Sequence, residues 1–149
     1  MIFDRTLADV RAAEEIRRTK VQKGETLTDA DVSALERGTL SISTLNRVEL
    51  KQQELAGLLL EMGYQIAIEN RQWTENDIFT ESDFSRIVEN NTALRESFFV
   101  YADTPEDAVA EYSYEEINAL ERVLFDLEKM IDFTKQRYRR CGIYNCGEG

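Results

Sequence analysis

A helix start that recurs along the chain is the sequence feature that most constrains its fold. In the first copy Ser41 is a good helix N-cap, and Leu40 and Leu45 have the spacing of a hydrophobic staple. The same arrangement returns around Thr80 and Ser113, where the third residue after the cap is acidic. Each copy is followed at the same distance by a leucine: Leu55, Leu94 and Leu127. This degenerate internal repeat predicts a fold built from similar helical units with unequal connectors.

A similar short sequence segment follows each staple, and two of the three segments carry an arginine at the matching position. The segments are Asn46-Arg47-Val48-Glu49, Ser85-Arg86-Ile87-Val88-Glu89 and Asn118-Ala119-Leu120-Glu121. Arg47 and Arg86 have two interpretations. Each forms a salt bridge to a neighbouring capping carboxylate, or together they bind an acidic patch on a partner.

Apolar residues spaced alternately by three and four predict three long helices. Their seams are Leu45 to Met62, Phe84 to Phe98 and Ile117 to Ile131. We therefore predict an all-α fold, a bundle of three principal helices with a helical N-terminal part and a short irregular or hairpin tail. The boundaries are an N-terminal helical segment 1–38, a repeat-built bundle 39–135 and a cysteine-containing tail 136–149.

Smaller signals predict where individual elements stop and start. Gly38 is placed to end a short second helix as a C-cap. Between the first two long helices, residues 64–76 are expected to form an extended connector or a small strand. Thr104 followed by Pro105 suggests a fresh helix start, because proline suits the first helical position.

Composition narrows the classes of partner and of chemistry. The chain has 149 residues, 18 basic against 29 acidic, and a net charge of −11. This balance argues against nucleic acid or an anionic membrane as the main partner, since both require clustered Lys and Arg. Histidine is absent, which removes the commonest general base and the commonest zinc ligand.

No catalytic residues, cofactor or metal site are predicted. Pairs of acidic residues such as Asp29 with Asp31 lie in the first turns of helices, where negative charge is favourable, so capping explains them. Nothing marks a carboxylate with a raised pKa, as a small acidic hydrolase would need. That class is a distant third alternative, to be tested by mutating carboxylates against any activity found.

The two cysteines leave alternatives open. Cys141 and Cys146 are spaced for a hairpin disulfide in an oxidising environment, or they stay as thiols packed at a subunit contact. A redox-active pair is disfavoured because the spacing is not Cys-x-x-Cys.

Aromatic and polar residues supply the candidate partner interface. Trp73 in the connector and the apolar stretch with Phe98, Phe99 and Tyr101 are the best anchors, with core packing as the alternative. Asn91 falls on the second seam, where it is either solvated at the edge or fixes the register and number of subunits.

Two sets of words resemble a segment that recurs in small structural proteins of phages and prophages of Gram-positive bacteria. They are Thr74-x-x-Asp77-x-x-x-x-x-Asp83-Phe84-x-Arg86-Ile87-x-x-Asn90 and Thr44-Leu45-Asn46-Arg47-Val48-Glu49. The opening Asp4-Arg5-Thr6-x-Ala8-Asp9-Val10 is similar to the start of the same family, whose genes lie beside those of tail and baseplate proteins. The resemblance spans Phe3 to about Ile131 and brings no catalytic residues with it.

This resemblance implies a non-enzymatic structural component of a phage tail or tail-like particle. Such a component would act in several copies, as a trimer or a higher ring, and would hold a baseplate, fibre or receptor-binding protein. The N-terminus lacks a signal peptide and no apolar run approaches a membrane span, so we expect synthesis in the host cytoplasm and a final place in the particle. The alternative is a cytoplasmic helical adaptor, assembly chaperone or regulator.

Overall fold

The computed structural model describes residues 1–106 and 113–143, with side chains as far as residue 137. Throughout these ranges the regular secondary structure is helical, so the all-α prediction is confirmed. Residues 64–76 form an irregular connector without a strand. The α-helices are α1 (Leu7–Thr19), α2 (Asp29–Gly38), α3 (Ile42–Glu61), α4 (Glu81–Ser97) and α5 (Tyr114–Ile143), with a 3₁₀ turn at Val21–Lys23.

Most helices begin with the capping chemistry that the sequence indicates. Thr6, Thr28 and Thr80 each accept a hydrogen bond from the backbone of an aspartate three residues on, and that aspartate bonds back to the cap. Ser41 caps α3 by accepting from the N–H of Thr44 at 3.2 Å. Each cap satisfies amide groups that have no partner inside the helix, and so defines where the helix starts.

Helix α3 ends just before Gly63, a glycine with a left-handed backbone conformation. Gly63 has a φ of 94°, a conformation that L-residues with side chains rarely adopt. The N–H of Tyr64 donates to the carbonyl of Leu59 at 2.9 Å, and the N–H of Gly63 donates to that of Leu60 at 3.0 Å. This Schellman motif turns the chain back along the helix it has just left.

Helices α3, α4 and α5 run parallel, and we call them the bundle. Near their N-termini Arg47 of α3 contacts Glu121 of α5 at 2.8 Å. Far along the same two helices Lys135 contacts Glu61 at 3.3 Å. The connectors after α3 and α4 therefore run back past the helices before the next one begins.

The core fills the space between the parallel helices. Its buried apolar residues come from equivalent positions of the repeats and are joined by one residue of the first connector, Trp73. They are Leu45, Val48, Leu55, Leu59, Phe84, Ile87, Leu94, Leu120, Leu124, Leu127 and Ile131. Burying such a set removes apolar surface from water and is the main stabilising term for the bundle.

Helices α1 and α2 form a hairpin that packs mainly on itself. Gly38 is the last residue of α2, and the cap that follows it is Thr39 in an extended conformation. A Cβ atom at Gly38 would overlap the carbonyl of Asp9 and the side chain of Ala13. The role predicted for Gly38 was therefore wrong: it is needed for close helix packing and not for a left-handed C-cap.

Two further expectations differ from the structure. Helix α5 continues to Ile143, so residues 136–143 are helical where an irregular tail was expected. Thr104 does not cap a helix at Pro105. Its hydroxyl donates to Asp126 of α5 at 2.9 Å, which anchors the second connector to the bundle. The residues that would continue a helix from Pro105, 107–112, lie outside the described ranges.

Candidate interaction site

An asparagine on α3 holds the first connector by its backbone. The side-chain amide of Asn46 donates to the carbonyl of Trp73 at 3.0 Å and accepts from the N–H of the same residue at 2.7 Å. An asparagine side chain carries both a donor and an acceptor, so it can make the two hydrogen bonds that a paired β-strand would make to the same residue. The connector is thereby attached to α3 without any sheet.

Glu49, one turn further along α3, binds the same connector. We call Asn46 and Glu49 the first clamp. The buried carboxylate of Glu49 accepts from the indole N–H of Trp73 at 2.7 Å and from the backbone N–H of Arg71. Two guanidinium nitrogens of Arg86 on α4 donate to it at 2.6 and 3.0 Å. This bidentate pairing with Glu49 raises the pKa of Arg86 above its ordinary value. The carboxylate links α3, α4 and the connector at one point.

A second clamp on α5 repeats the first with different partners. The amide of Asn118 donates to the carbonyl of Arg5 at 2.9 Å and accepts from its N–H at 3.1 Å. Glu121 accepts from the backbone N–H of Ile2 and from the guanidinium of Arg5 at 3.2 Å. Asn118 and Glu121 stand in their repeat where Asn46 and Glu49 stand in theirs. The N-terminal residues 2–5 therefore bind α5 as the connector binds α3.

The arginines that the repeats share pair with these buried glutamates. Arg86 pairs with Glu49, and Arg47 pairs with Glu121 at 2.8 Å and with Glu36 of α2 at 3.0 Å. The side chain of Glu121 is fully buried and that of Arg5 is 1% exposed, whereas the side chain of Arg47 is 25% exposed. A buried carboxylate of this kind needs such charged partners. Salt bridges were one predicted alternative for these arginines, but the acceptors lie inside helices and are not capping carboxylates.

Asn90 of α4 also binds the backbone of the first connector. Its amide donates to the carbonyl of Glu69 at 2.7 Å and accepts from the N–H of Glu69 at 3.1 Å. It also donates to the buried Gln52 at 3.3 Å, and Gln52 donates to the carbonyl of Ile87 at 2.8 Å. The buried polar side chains of Asn90 and Gln52 thus hold α3, α4 and the connector in one register.

An open cleft of about 440 Å³ lies between α3 and the first connector. Most of its lining residues have polar side chains, and several of these already bind the chain's own backbone or one another. The lining residues are Asn46, Glu49, Leu50, Gln53, Asn70, Arg71 and Gln72. The guanidinium of Arg71 lies 4.4 Å from the centre of the Trp73 ring, so this lining residue also makes a contact within the chain.

Exposed aromatic residues lie at the end of the bundle where α3 and α4 finish. The rings of Tyr64 and Phe98 are 5.4 Å apart, and those of Phe98 and Phe99 are 5.7 Å apart. Phe99 is 73% exposed and Tyr101 is 40% exposed, whereas Phe98 packs partly against the core. We call Tyr64, Phe98, Phe99 and Tyr101 the aromatic patch. Its apolar surface is available to a partner.

The structure separates the predicted interface residues. Phe98 and Phe99 are in ring contact and Tyr101 follows them closely in the chain, but Trp73 and Asn91 are buried, at 3% and 2% exposure. Trp73 is a core residue, and the Oδ1 atom of Asn91 has no hydrogen-bond partner among the described residues. Cys146 lies outside the described residues, as does the side chain of Cys141, and so does the disulfide considered for them.

Sequence reasoning did not single out the glutamates and asparagines that form the clamps. The signal was present, because Asn46 and Glu49 in one repeat match Asn118 and Glu121 in another. Their spacing of three places both side chains on one helix face. Two such pairs at equivalent positions after a staple could have been read as a shared backbone-binding device.

The described part of the chain contains no cluster of three or more acidic, cysteine or histidine side chains arranged to hold a metal ion. Within the same residues, no helix combines the length and apolar character needed to cross a membrane. No protein-family model matches the chain, and no curated protein or solved structure matches it.

Proposed function

We propose that this chain is a non-enzymatic structural component of a phage tail or tail-like particle, serving as an attachment or assembly module for a baseplate or fibre protein. The aromatic patch is the observation that carries the assembly role. The proposal that the chain belongs to a phage particle is supported by its sequence segments around Thr44 and Asp83, which resemble a segment of tail-associated proteins.

The patch has the chemistry of an interface anchor. Aromatic side chains provide large apolar contact area at little cost in rotamer freedom, and they dominate the binding energy of many protein interfaces. Phe98 is held by the core and by Tyr64, while Phe99 projects into solvent with most of its surface exposed. A partner would therefore meet side chains that are already positioned.

The clamps fix how the helices that carry this patch pack against their neighbours. Glu49 and Glu121 join neighbouring helices to one another, and each also binds an extended segment of the chain. Such buried, hydrogen-bonded polar networks favour one arrangement of the helices over others. In the proposed role, the bundle is a rigid spacer, and its contacts are made with copies of itself and with neighbouring tail or fibre proteins.

The experiment that tests the role is quantitative mass spectrometry of phage or tail-like particles purified after induction of the source culture. The proposal expects this chain in intact particles at a fixed ratio to other particle proteins, and that ratio would give its copy number. Its absence from intact particles, with free protein abundant in the lysate, would instead favour the alternative of an adaptor, assembly chaperone or regulator.

A further inference from the structure

Residues 1–38 form a unit of their own, which we call the arm. Its helices α1 and α2 pack closely against each other, aided by Gly38, which lies against Asp9 and Ala13. Lys20 and Asp31 join the two helices by an ion pair of 2.6 Å. The arm is thus held together largely by its own contacts.

The arm is attached to the bundle by a few polar anchors and by apolar and ring contacts of its first residues. Residues 2–5 lie on α5, where Asn118 and Glu121 hold their backbone and the rings of Phe3 and Phe125 are 4.9 Å apart. Met1 packs against the bundle core, and the guanidinium of Arg122 lies 5.3 Å from the ring of Phe3. At the other end of the arm, Glu36 accepts from Ser43 at 2.6 Å and from Arg47 at 3.0 Å. The chain between arm and bundle is only the stretch 39–41.

We infer that the arm is exchangeable, and that residues 2–5 of one copy bind the Asn118–Glu121 clamp and Phe125 of a second copy. A second copy presents the same clamp and the same Phe125 ring, so every bond that residues 2–5 make to α5 is preserved between copies. The cost is confined to the stretch 39–41 and to the contacts of Glu36. This inference rests on the proposed assembly role and specifies the partner, a second copy, for one of its contacts.

The nature of the clamp supports a docked segment. Most of its bonds go to backbone atoms of Ile2 and Arg5, and one charged side chain, Arg5, enters the groove to meet the buried Glu121. This is recognition of an extended segment by backbone hydrogen bonds plus one specific side chain. The arm also carries apolar residues that are about half exposed and that neighbouring copies would cover, namely Leu7, Val21 and Val32.

Covalent trapping distinguishes exchange from an arm that stays on its own chain. Phe3→Cys and Phe125→Cys are made in separate chains in which Cys141 and Cys146 are replaced by serine. The two chains are co-expressed, purified and oxidised with oxidised glutathione. The exchange predicts a cross-linked dimer, with the bond mapped to residues 3 and 125 by peptide mass spectrometry.

A matched control measures chance encounters. Val21→Cys, also on the arm but 47% exposed, replaces Phe3→Cys in a second co-expression with Phe125→Cys. The dimer through residue 3 is expected in severalfold excess over this control. A chain carrying both Phe3→Cys and Phe125→Cys shows that the pair can close. Closure within single chains, with no excess dimer in the mixture, would overturn the inference.

A measurement on the unmodified chain covers the case in which the cysteine variants fold poorly. Native mass spectrometry over a range of concentrations should show dimers or larger species, and Asn118→Ala should reduce them severalfold. A chain that stays monomeric at every concentration would overturn the inference. Because both experiments use purified protein without particles, their failure is distinct from absence of the chain from particles.

Discussion

Arg86 of α4 meets Glu49 of α3 at 2.6 Å, and the equivalent Arg47 of α3 meets Glu121 of α5 at 2.8 Å. The same residue pair therefore joins two successive pairs of helices around the bundle. The third equivalent position is Ala119, which has no charge, so the series of pairs ends there. Equivalent positions in the sequence repeats thus make equivalent salt bridges between helices.

Removing one member of such a pair should be costly. Arg86→Ala leaves the carboxylate of Glu49, which is 2% exposed, without its bidentate partner. We expect a loss of roughly 2–3 kcal/mol in the free energy of unfolding, because a buried charge loses its compensation. Urea denaturation followed by circular dichroism measures it.

Arg18→Ala is the matched control for that change. Arg18 pairs with Glu15 on the surface, where their side chains are 72% and 57% exposed. Its loss should alter the free energy of unfolding by less than about 0.5 kcal/mol, since water solvates both charges. Equal effects of the two substitutions would show that the Glu49 network contributes little.

The first clamp can be tested through the only tryptophan. Asn46→Ala removes both hydrogen bonds to the backbone of Trp73 and should lower the free energy of unfolding by about 1–2 kcal/mol. The indole should become more exposed to water, and its fluorescence emission should shift to the red. Faster hydrogen exchange at the Trp73 amide should accompany the shift.

Asn118→Ala provides the comparison, because it removes the same two bonds from Arg5 instead. It should loosen residues 2–5 and leave the emission of Trp73 unchanged. If Asn46→Ala left the emission and the exchange rate of Trp73 as they are, backbone clamping by this residue would be disproved.

Two glycines in helices should respond to alanine in opposite directions. Gly38→Ala places a methyl group against Asp9 and Ala13, and should destabilise the arm by roughly 1–3 kcal/mol through overpacking. Gly57→Ala meets nothing within 4 Å and should stabilise α3 by about 0.5–1 kcal/mol. Hydrogen exchange, read separately for α1 and for α3, checks both signs. A stabilising effect of Gly38→Ala would contradict the close packing of Gly38 against Asp9 and Ala13.

The aromatic patch should matter for assembly more than for folding. Phe99→Ala combined with Tyr101→Ala should weaken association, seen by sedimentation velocity or by recovery in particles, with little change in melting temperature. Ile78→Ala is the control, since Ile78 is 81% exposed but lies outside the patch. Parallel losses of melting temperature and of assembly would show that Phe99 and Tyr101 act as core residues.

Acid should loosen the arm through the capping box of α2. Hydrogen bonds from Lys20 and Thr28 lower the pKa of Asp31 from 3.8 to about 2. A pKa that is lower in the folded chain gives stability that is present above the unfolded value and is lost as pH falls through the folded one. We expect the stability difference between the wild type and Asp31→Asn to be constant above about pH 5 and to shrink towards pH 2.

Urea denaturation, read by the helical signal of circular dichroism at a series of pH values, checks this trend. Lys20→Met removes the largest cause of the shift but keeps Thr28, so its pH dependence should lie between those of the other two chains. A difference that stays the same at all pH values would refute the role assigned to Asp31.

Local sequence determined the helices well, because their signals act over one or two turns. Ser41 and Thr80 cap α3 and α4 as expected, and the seams from Leu45 and Ile117 became the buried faces of α3 and α5. Capping and amphipathic spacing depend on near neighbours, which the sequence shows directly.

The expectations that were wrong concern residues whose partners lie far along the chain. Gly38 was expected to be the C-cap of α2; α2 does end at Gly38, but its cap is Thr39, and Gly38 instead packs against Asp9 and Ala13 on the facing helix. Thr104 was expected to cap the next turn, yet it bonds to Asp126. In both positions a tertiary contact replaced the local role that the residue type favours.

What the sequence by itself determined about this protein is its all-α character, most of its helix starts and the existence of a repeat. The tertiary structure decided that Trp73 is a core residue, that Phe99 and Tyr101 are exposed, and that Asn and Glu pairs of the repeats hold extended segments. Burial depends on which surfaces meet when parallel helices pack. That meeting involves residues such as Arg5 and Glu121, at opposite ends of the chain, whose pairing no local pattern records.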